Sequence, residues 1–365
     1  MEEIKCIGCG ATLQSTDQTK PGYVAEEILN RVDLDGVRCL RCHKIKNYNL
    51  ITKNELSTQE YYKIIKKIAA KDALFVYVLD IFNLSCTLNK EVIELIKGKD
   101  VILVCNKMDL MPKSLKEGKL SLWVRHQAKT LGLKVKDIIL ISVHKKHHID
   151  ELIDLMDRYR KGRHVYVLGS TNVGKSSLIN QLLRSEGMLD YDLITTSLIP
   201  ATTLNLIEIP FFKKGILYDT PGLVNDDNIL SLVDAKDFKQ IMPKTEIRPS
   251  VYQLNPLQSL LIGGFACFNY LEGEKNNFVT YFANTLEIKR SKYERAVEIF
   301  PSKIYDMFKI NTLNLEFETH EFVLDKPSDI IISGLGFIAV KEAGAKVSVS
   351  VIKGCGVIVR EPIIG

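Results

Sequence analysis

The chain has 365 residues, of which 46% are hydrophobic and 25% are charged. These fractions are typical of folded globular proteins, and they exclude a chain that is disordered throughout and a small scaffold held together by disulfides. Lys and Arg number 49 against 44 Asp and Glu, so the net charge of +5 permits a nucleic-acid partner without requiring one.

The first part of the chain carries two close pairs of cysteines. Cys6 and Cys9 form one C-x2-C pair, and Cys39 and Cys42 form another. Four thiolates in this pattern predict a structural Zn²⁺ site, with an iron–sulfur cluster or a redox pair as the alternatives. Basic residues and Tyr48 surround the second pair, and this surface either contacts RNA or is an ordinary solvated surface.

The start of the sequence lacks the apolar core of a signal peptide. The most apolar run, residues 74–82, is interrupted by Asp80 and is much shorter than the roughly 20 residues that a membrane-spanning helix needs. We therefore expect no membrane partner, a cytoplasmic location and reduced cysteines.

From about residue 56 to residue 225, short apolar runs alternate with amphipathic patterns of helical period. Predicted strands cover residues 73–80, 101–105, 137–142, 164–168, 204–209 and 215–218. Predicted helices cover residues 61–71, 88–97, 115–131, 149–160 and 176–183. This alternation predicts an α/β fold in which a mostly parallel, doubly wound sheet is covered on both faces.

The pattern changes after Gly222, and a domain boundary is expected near residues 225–245, where Pro243 and Pro249 interrupt the chain. Apolar runs separated by turns predict strands at residues 257–268, 279–281, 330–332, 337–340 and 346–352. No internal repeat is evident. We therefore predict a zinc finger over residues 1–55, the α/β domain over residues 56–225, and a β-rich α+β domain over residues 226–365.

Residues 169–176 match the P-loop pattern G-x-x-x-x-G-K-[ST] between a predicted strand and a predicted helix. Such a loop curls so that its backbone N–H groups and the N-terminus of the next helix face phosphate oxygens. In this pattern Lys175 binds the β- and γ-phosphates, and the Ser176 hydroxyl binds Mg²⁺. A glycine-rich turn without a ligand is the alternative. The predicted phosphate-binding residues are Gly169, Ser170, Thr171, Asn172, Val173, Gly174, Lys175, Ser176 and Ser177.

Two further segments predict contacts with Mg²⁺ and the γ-phosphate. Asp219-Thr220-Pro221-Gly222 follows a predicted strand, so that Asp219 can hold the Mg²⁺ shell and the Gly222 amide can meet the γ-phosphate. Thr203, in Pro200-Ala201-Thr202-Thr203, is a candidate for completing the Mg²⁺ coordination. The alternatives are an ordinary turn at residues 219–222 and a β-branched pair that leads into the next strand.

Asn106-Lys107-Met108-Asp109 follows a predicted strand and has the N-K-x-D pattern of a guanine selector. The Asp109 carboxylate can accept hydrogen bonds from guanine N1–H and from the exocyclic amine, a pair of donors that adenine lacks. Asn106 is expected to join two loops, and the stem of Lys107 is expected to cover the base. Ser142 and Val143 end another predicted strand, where backbone N–H groups can meet the guanine oxygen.

The order of these motifs is unusual, because the guanine selector precedes the P-loop. All sheet contacts survive if the usual termini are joined and the chain is opened after Gly222, so the order predicts a circularly permuted GTPase domain. The segment after Gly222 commonly moves with the γ-phosphate, and we predict that residues 223–243 transmit the nucleotide state to the C-terminal domain. Leu223 cannot orient water as a Gln does, which predicts slow hydrolysis. Asn172 either binds K⁺ or only shapes the loop.

With these motifs in this order, the chain resembles the YqeH family of circularly permuted GTPases over nearly its whole length. The resemblance implies a cytoplasmic bacterial GTPase that assists biogenesis of the small (30S) ribosomal subunit, with slow, K⁺-stimulated hydrolysis of GTP to GDP. It implies rRNA and the small subunit as partners, reached through the zinc finger and the C-terminal domain, and no DNA partner. The family's nucleotide-binding roles transfer to Asn106, Lys107, Asp109, Gly169, Asn172, Gly174, Lys175, Ser176, Asp219 and Gly222. The predicted catalytic set is Lys175, Asn172, Thr203 and Gly222.

Two positions depart from the family pattern. Ala201 stands where relatives often have Gly, which bears on the geometry of the Thr203 loop. Val143 and His144 replace a more usual small residue, which matters less because backbone groups are expected to contact the base. The competing hypothesis is a scaffold that binds RNA or the ribosome and holds GTP mainly as a structural ligand. A metabolic phosphotransferase is disfavoured, because the sequence has no acceptor motif beside the P-loop.

Overall fold

The computed structural model describes residues 4, 12–17, 22–29, 37, 39–40, 57–185, 206–211, 215–308 and 315–364. Its internal contacts divide the chain into two compact units. The α/β unit consists of Met1–Leu79, Lys90–Asn106 and Leu131–Val224. The β unit consists of Asp80–Asn89, Lys107–Thr130 and Asn225–Gly365, so it includes two segments that precede the P-loop in the chain.

Helices occur in both units. In chain order they are α1 (Glu26–Leu29), α2 (Thr58–Ala69), α3 (Leu84–Thr87), α4 (Lys90–Ile96), α5 (Glu117–Thr130), α6 (Ile149–Arg160), α7 (Lys175–Ser185), α8 (Ile229–Leu232), α9 (Phe238–Ile241), α10 (Tyr293–Ile299) and α11 (Ile304–Phe308). Among the described helices, none has both the length and the apolar composition needed to cross a lipid bilayer.

The α/β unit is built on one six-stranded sheet in the order β3-β2-β1-β4-β6-β5. Its strands are β1 (Ala73–Asp80), β2 (Asp100–Asn106), β3 (Asp137–Leu140), β4 (His164–Leu168), β5 (Ile207–Phe211) and β6 (Gly215–Asp219). The β1–β4, β2–β3 and β4–β6 pairs are parallel, and β5 pairs antiparallel with β6. All eight residues of β1 are buried, so both faces of the sheet are covered as the sequence predicts.

The helix before the first strand shows how the sequence builds this unit. Ser57 caps α2 through a reciprocal pair of hydrogen bonds with Glu60, which satisfies backbone donors at the helix start. Tyr61, Ile64 and Ile68 lie on the buried face at helical spacing. The amphipathic pattern therefore predicts both the existence of this helix and its orientation.

The β unit contains two five-stranded antiparallel sheets. Its strands are β7 (Ser250–Leu254), β8 (Gln258–Ile262), β9 (Ala266–Glu272), β10 (Asn276–Phe282), β11 (Ile288–Lys292), β12 (Phe317–Leu324), β13 (Ser328–Ile332), β14 (Gly336–Val340), β15 (Ala345–Ile352) and β16 (Val357–Arg360). We call the sheet β11-β8-β9-β15-β12 the first sheet and the sheet β16-β13-β14-β10-β7 the second sheet. The apolar core includes residues from both sheets.

The single strand predicted at residues 257–268 is wrong. The chain reverses at Gly263 and Gly264, whose φ angles are +56° and +78°, and this separates β8 from β9. Glycine adopts such angles most readily, and a side chain on Gly263 would collide with Leu286. A mostly apolar run therefore conceals a hairpin whose turn is marked only by two glycines.

The β unit also contains an internal repeat, contrary to the expectation from sequence. Gln258 pairs with Tyr270 across β8 and β9, and Ser328 pairs with Val340 across β13 and β14 in the same register. Strands β7–β11 and β12–β16 follow the same course, and each half places three strands in one sheet and two in the other. Pairing geometry has therefore been kept while most side chains differ.

Arg163 joins the starts of three strands in the α/β unit. This residue precedes β4, and its guanidinium donates to Asp72 Oδ1 at 2.8 Å and to Asp100 Oδ2 at 2.7 Å. Lys136 also lies 3.0 Å from Asp100 Oδ1. The hydrogen bond from Arg163 lowers the pKa of Asp100, although partial burial opposes this shift.

Replacement of Asp100 is expected to weaken the α/β unit in a pH-dependent way. Because the pKa of Asp100 is lower in the folded state, its stabilisation is present above about pH 4 and is lost as the pH falls further. We expect Asp100→Asn to reduce the free energy of unfolding by about 1 kcal/mol at pH 7, a value kept small by solvent screening. Thermal unfolding followed by circular dichroism between pH 7 and pH 3.5 measures this difference. Asp154→Asn, at an exposed aspartate of α6, is the control, and an equal effect of both substitutions would contradict the assignment.

Candidate functional site

The P-loop joins β4 to α7, as the sequence predicts. Two of its glycines lie where a side chain has no room. A Cβ on Gly169, at φ +151°, would lie 2.5 Å from the Val78 carbonyl oxygen, and a Cβ on Gly174, at φ +94°, would collide with the Asn106 amide. The glycines of the motif are therefore required by packing before any ligand is considered.

Lys175 is the first residue of α7 and is only 8% exposed. Burial lowers the pKa of its ammonium, and the nearby Asp219 carboxylate opposes this shift. A Cβ on Gly222 would lie 3.3 Å from Lys175 Nζ, so the ammonium lies directly beside this glycine. Ser176 and Ser177 follow at the exposed start of the helix. A buried cation at a helix N-terminus is the electrostatic environment that a phosphate group requires.

The Asp219–Gly222 turn follows β6 and is held against β4. Thr220 Oγ1 donates to the Val167 carbonyl at 2.8 Å. The next residue, Leu223, is 1% exposed, and its backbone N–H donates to Gly169 O at 3.2 Å. Its carbonyl accepts from the Thr171 N–H at 2.8 Å. Leu223 thus contacts the P-loop through its backbone, while its buried side chain has no atom that could orient water.

Two buried oxygens of this region have no hydrogen-bond partner within the described residues. They are Asp219 Oδ1 and Ser170 Oγ. Burial raises the pKa of Asp219 to about 6, whereas Lys175 lowers it. A carboxylate oxygen without a partner fits a Mg²⁺ shell, because Mg²⁺ prefers hard oxygen ligands. Thr203, another predicted Mg²⁺ ligand, lies outside the described residues.

Asn106 connects the P-loop to the loop after β3. Its side chain is buried at the end of β2, where Nδ2 donates to Val173 O at 2.9 Å and Oδ1 accepts from Val143 N at 3.2 Å. The Ser142 hydroxyl accepts from the Lys145 N–H at 3.0 Å, so it supports its own turn. One amide therefore fixes two loops that the sequence assigns to the nucleotide.

Lys107 and Asp109 belong to the β unit. Lys107 has a left-handed backbone, at φ +69°, and its Nζ lies 2.6 Å from Asp80 Oδ2. Asp80 Oδ1 accepts from the Phe82 N–H at 3.0 Å, so both carboxylate oxygens are used. Asp109 lies in a short 3-10 helix, Met108–Leu110. The sequence analysis did not identify Asp80 as the partner of Lys107. The only feature of the sequence that marks Asp80 is its position as a carboxylate at the end of an apolar strand.

The predicted zinc and potassium ligands are only partly described. Cys39 is buried beside Leu13 and Val24, whereas Cys6, Cys9 and Cys42 lie outside the described residues. The four-thiolate site therefore stays a prediction from the sequence. Asn172 is exposed in the P-loop with a left-handed backbone, at φ +62°, which agrees with a loop-shaping role and leaves its amide accessible.

Family models match two parts of the chain. Residues 164–249 match a model described as 50S ribosome-binding GTPase, and residues 275–363 match a model described as YqeH-like, C-terminal. The first match includes the P-loop and the Asp219–Gly222 turn. The second match lies within the β unit.

Individual relatives agree with these matches. The uncharacterized protein YqeH of Bacillus subtilis is 39% identical, and the alignment covers 100% of both chains. NO-associated protein 1, chloroplastic/mitochondrial, of Arabidopsis thaliana is 27% identical over 92% of this chain and 69% of its own length. GTPase Der of Aquifex aeolicus is 30% identical over 49% of this chain and 40% of its own length.

Removal of the Asn106 side chain is expected to separate the two loops. Asn106→Ala leaves the Val173 carbonyl and the Val143 N–H without their partner, which costs about 1–3 kcal/mol for the buried carbonyl and less for the partly buried N–H. We expect lower thermal stability and a GDP affinity reduced by at least about tenfold. Unfolding scans and calorimetric titration with GDP measure both effects. Asn255→Ala, at an exposed turn of the β unit, is the matched control, and unchanged GDP affinity in Asn106→Ala would refute the role.

Proposed function

The chain belongs to the YqeH family of GTPases, and we propose that it is a GTP-hydrolysing switch protein that acts in assembly of the small (30S) ribosomal subunit. The observation that carries the proposal is the backbone contact of Leu223 with Gly169 and Thr171. This contact links the P-loop to the segment that leads into the β unit. A change at the phosphates then has a direct covalent path to the C-terminal domain.

The nucleotide is proposed to bind through the residues that the sequence identifies. The P-loop N–H groups and Lys175 hold the phosphates, Asp109 selects guanine, and the Ser142–Val143 loop contacts the guanine oxygen. Ser176, Asp219 and Thr203 are the proposed Mg²⁺ ligands. When bound, Mg²⁺ neutralises charge on the phosphates. Asp219 Oδ1, which has no hydrogen-bond partner in the described part of the chain, and the buried Lys175 support this arrangement.

Circular permutation is part of the proposal. The guanine selector follows β2, and the P-loop and the Asp219–Gly222 turn come later in the chain. In this arrangement the chain continues from the turn directly into the β unit, where residues after Val224 belong. Because of the permutation, the segment proposed to respond to the nucleotide, residues 223–243, continues directly into the β unit.

Contacts within the β unit support transmission along residues 223–243. The Ile229 N–H donates to Ser333 O at 3.0 Å, and the Gly356 N–H donates to Asp227 O at 2.9 Å. Asn225 Nδ2 donates to Cys86 O at 2.7 Å. The beginning of this segment is therefore bonded to the turns after β13 and before β16. Displacement of the segment by the γ-phosphate would break or shift these bonds.

The ribosomal partner is proposed from the family resemblance together with the two-domain arrangement. The Cys6–Cys42 finger with its four proposed Zn²⁺ ligands and the β unit are the proposed contacts with rRNA, in the cytoplasm where subunits are assembled. The matched family model is described as 50S ribosome-binding, so both subunits belong in any test. The alternative is a scaffold that binds RNA regardless of nucleotide.

Hydrolysis is expected to depend on K⁺, because Leu223 supplies no water-orienting group and Asn172 is accessible beside the phosphates. We expect GTP hydrolysis to be about tenfold faster in KCl than in NaCl, equivalent to about 1.4 kcal/mol of transition-state stabilisation. Asn172→Gly tolerates the left-handed backbone, removes the amide and is expected to abolish this difference. Phosphate release at matched ionic strength measures the rates. Equal rates in both salts for the unaltered chain would contradict the K⁺ site.

Co-sedimentation tests the switch. The full chain is mixed separately with 30S and 50S subunits in the presence of a non-hydrolysable GTP analogue, GDP or no nucleotide, at fixed K⁺ and salt. We expect binding to 30S with the GTP analogue only, and loss of that binding in Lys175→Ala. Equal binding in all three states would favour the scaffold, and binding to 50S alone would overturn the subunit assignment.

A further inference from the structure

Arg360 is a buried arginine on β16, the last strand of the β unit. Its Nη1 donates to Ser85 Oγ at 2.8 Å, and its Nη2 lies 3.4 Å from Asp329 Oδ2. Its guanidinium lies over the rings of Trp123, at 4.9 Å from the centroid, and Phe337, at 5.2 Å. One side chain therefore contacts both segments that the β unit takes from before the P-loop, Asp80–Asn89 and Lys107–Thr130.

These two segments hold the turn at residues 107–110, which carries the guanine selector. Asp80 begins one segment and pairs with Lys107 at 2.6 Å. Trp123 lies on α5, which follows the turn in the other segment. The Leu110 carbonyl also accepts from the Ile247 N–H of the C-terminal part at 2.9 Å. The position of the turn thus depends on contacts that come from the C-terminal part of the chain.

The position corresponding to Arg360 in the other half of the internal repeat carries no charge. Arg360 faces Asp329 across β16 and β13, and the corresponding pair across β11 and β8 is Ser291 and Ser259. Burying an ion pair costs desolvation that its attraction does not reliably repay. The charged pair occurs in one half of the repeat, where Arg360 also contacts Ser85 and Trp123. This indicates that the pair has a role beyond holding the two sheets together.

We infer that Arg360 is a positioning residue for guanine selection. By holding Ser85 and stacking on Trp123, it fixes the segment whose Asp80 pairs with Lys107 and the helix that follows the turn at residues 107–110. The inference rests on the proposed function, because it takes Asp109 in that turn as the guanine-binding carboxylate. The proposed function has the nucleotide state act on the β unit. The inference adds an effect in the opposite direction, in which the C-terminal strand β16 determines how well the guanine base is selected.

The test compares GDP with IDP, which lacks the exocyclic amine that Asp109 is proposed to bind. The double variant Asp329→Ser with Arg360→Ser reproduces the serine pair of the other half and leaves no buried charge unpaired. We expect the unaltered chain to prefer GDP over IDP by at least about tenfold, and the double variant by less than about threefold. A general loss of stability would weaken the binding of GDP and IDP alike and leave the ratio of their affinities unchanged. An unchanged ratio in a folded double variant overturns the inference.

Controls separate the inference from the proposed function. Arg290→Ser, at an exposed arginine next to Ser291, is the matched control and is expected to keep the full preference. If the unaltered chain binds ADP as tightly as GDP, it does not select guanine, and the proposed function then fails together with the role of Arg360. If the double variant does not fold, the fluorescence emission of Trp123 in the unaltered chain provides the test, because Trp123 is the only tryptophan of the chain. Saturation of the unaltered chain with GDP is then expected to change Trp123 emission more than IDP does, and equal responses overturn the inference.

Discussion

The outer face of the second sheet must be covered, and this requirement shapes the whole β unit. Ile330, Ile332 and Ile338 lie in the core, and alternation along the strands points Ile331 and Phe337 to the opposite face. Both of these are nevertheless buried. The cover comes from the chain before the P-loop, since Phe82 lies 6.4 Å from Phe337 between ring centroids and Trp123 lies over Arg360. An apolar face is thus stabilised by the segments that carry and support the proposed guanine selector.

Under the proposed function, this constraint gives two routes between the nucleotide and the C-terminal part of the chain. One route follows the backbone from the Asp219–Gly222 turn to Ile229, whose N–H is bonded to Ser333. The other passes from the turn at residues 107–110 through Trp123 and Ser85 to Arg360. Under the proposed function, the first route responds to the γ-phosphate and the second to the base. Because coupling between sites is reciprocal, a partner that binds the β unit must alter nucleotide affinity if either route operates.

Local features of the fold and site were predictable from the sequence, and long-range contacts were not. β1 and β4 have the predicted bounds, because continuous apolar runs between polar residues define buried parallel strands. The P-loop and the Asn106 link follow from motifs whose spacing has a physical cause. The repeat was missed because its halves share register and turns but few side chains. Asp80 and Arg360 were missed because no local pattern marks a residue whose partners are distant in sequence.

Hydrogen exchange on the full chain tests the central claim, that the nucleotide state reaches the β unit. The informative amides are those of Ile229, Ile247 and Gly356, which are bonded to Ser333, Leu110 and Asp227. We predict that exchange at these amides differs between the complex with GDP and the complex with a non-hydrolysable GTP analogue. Differences confined to residues 169–223, with identical exchange throughout the β unit, would contradict the account.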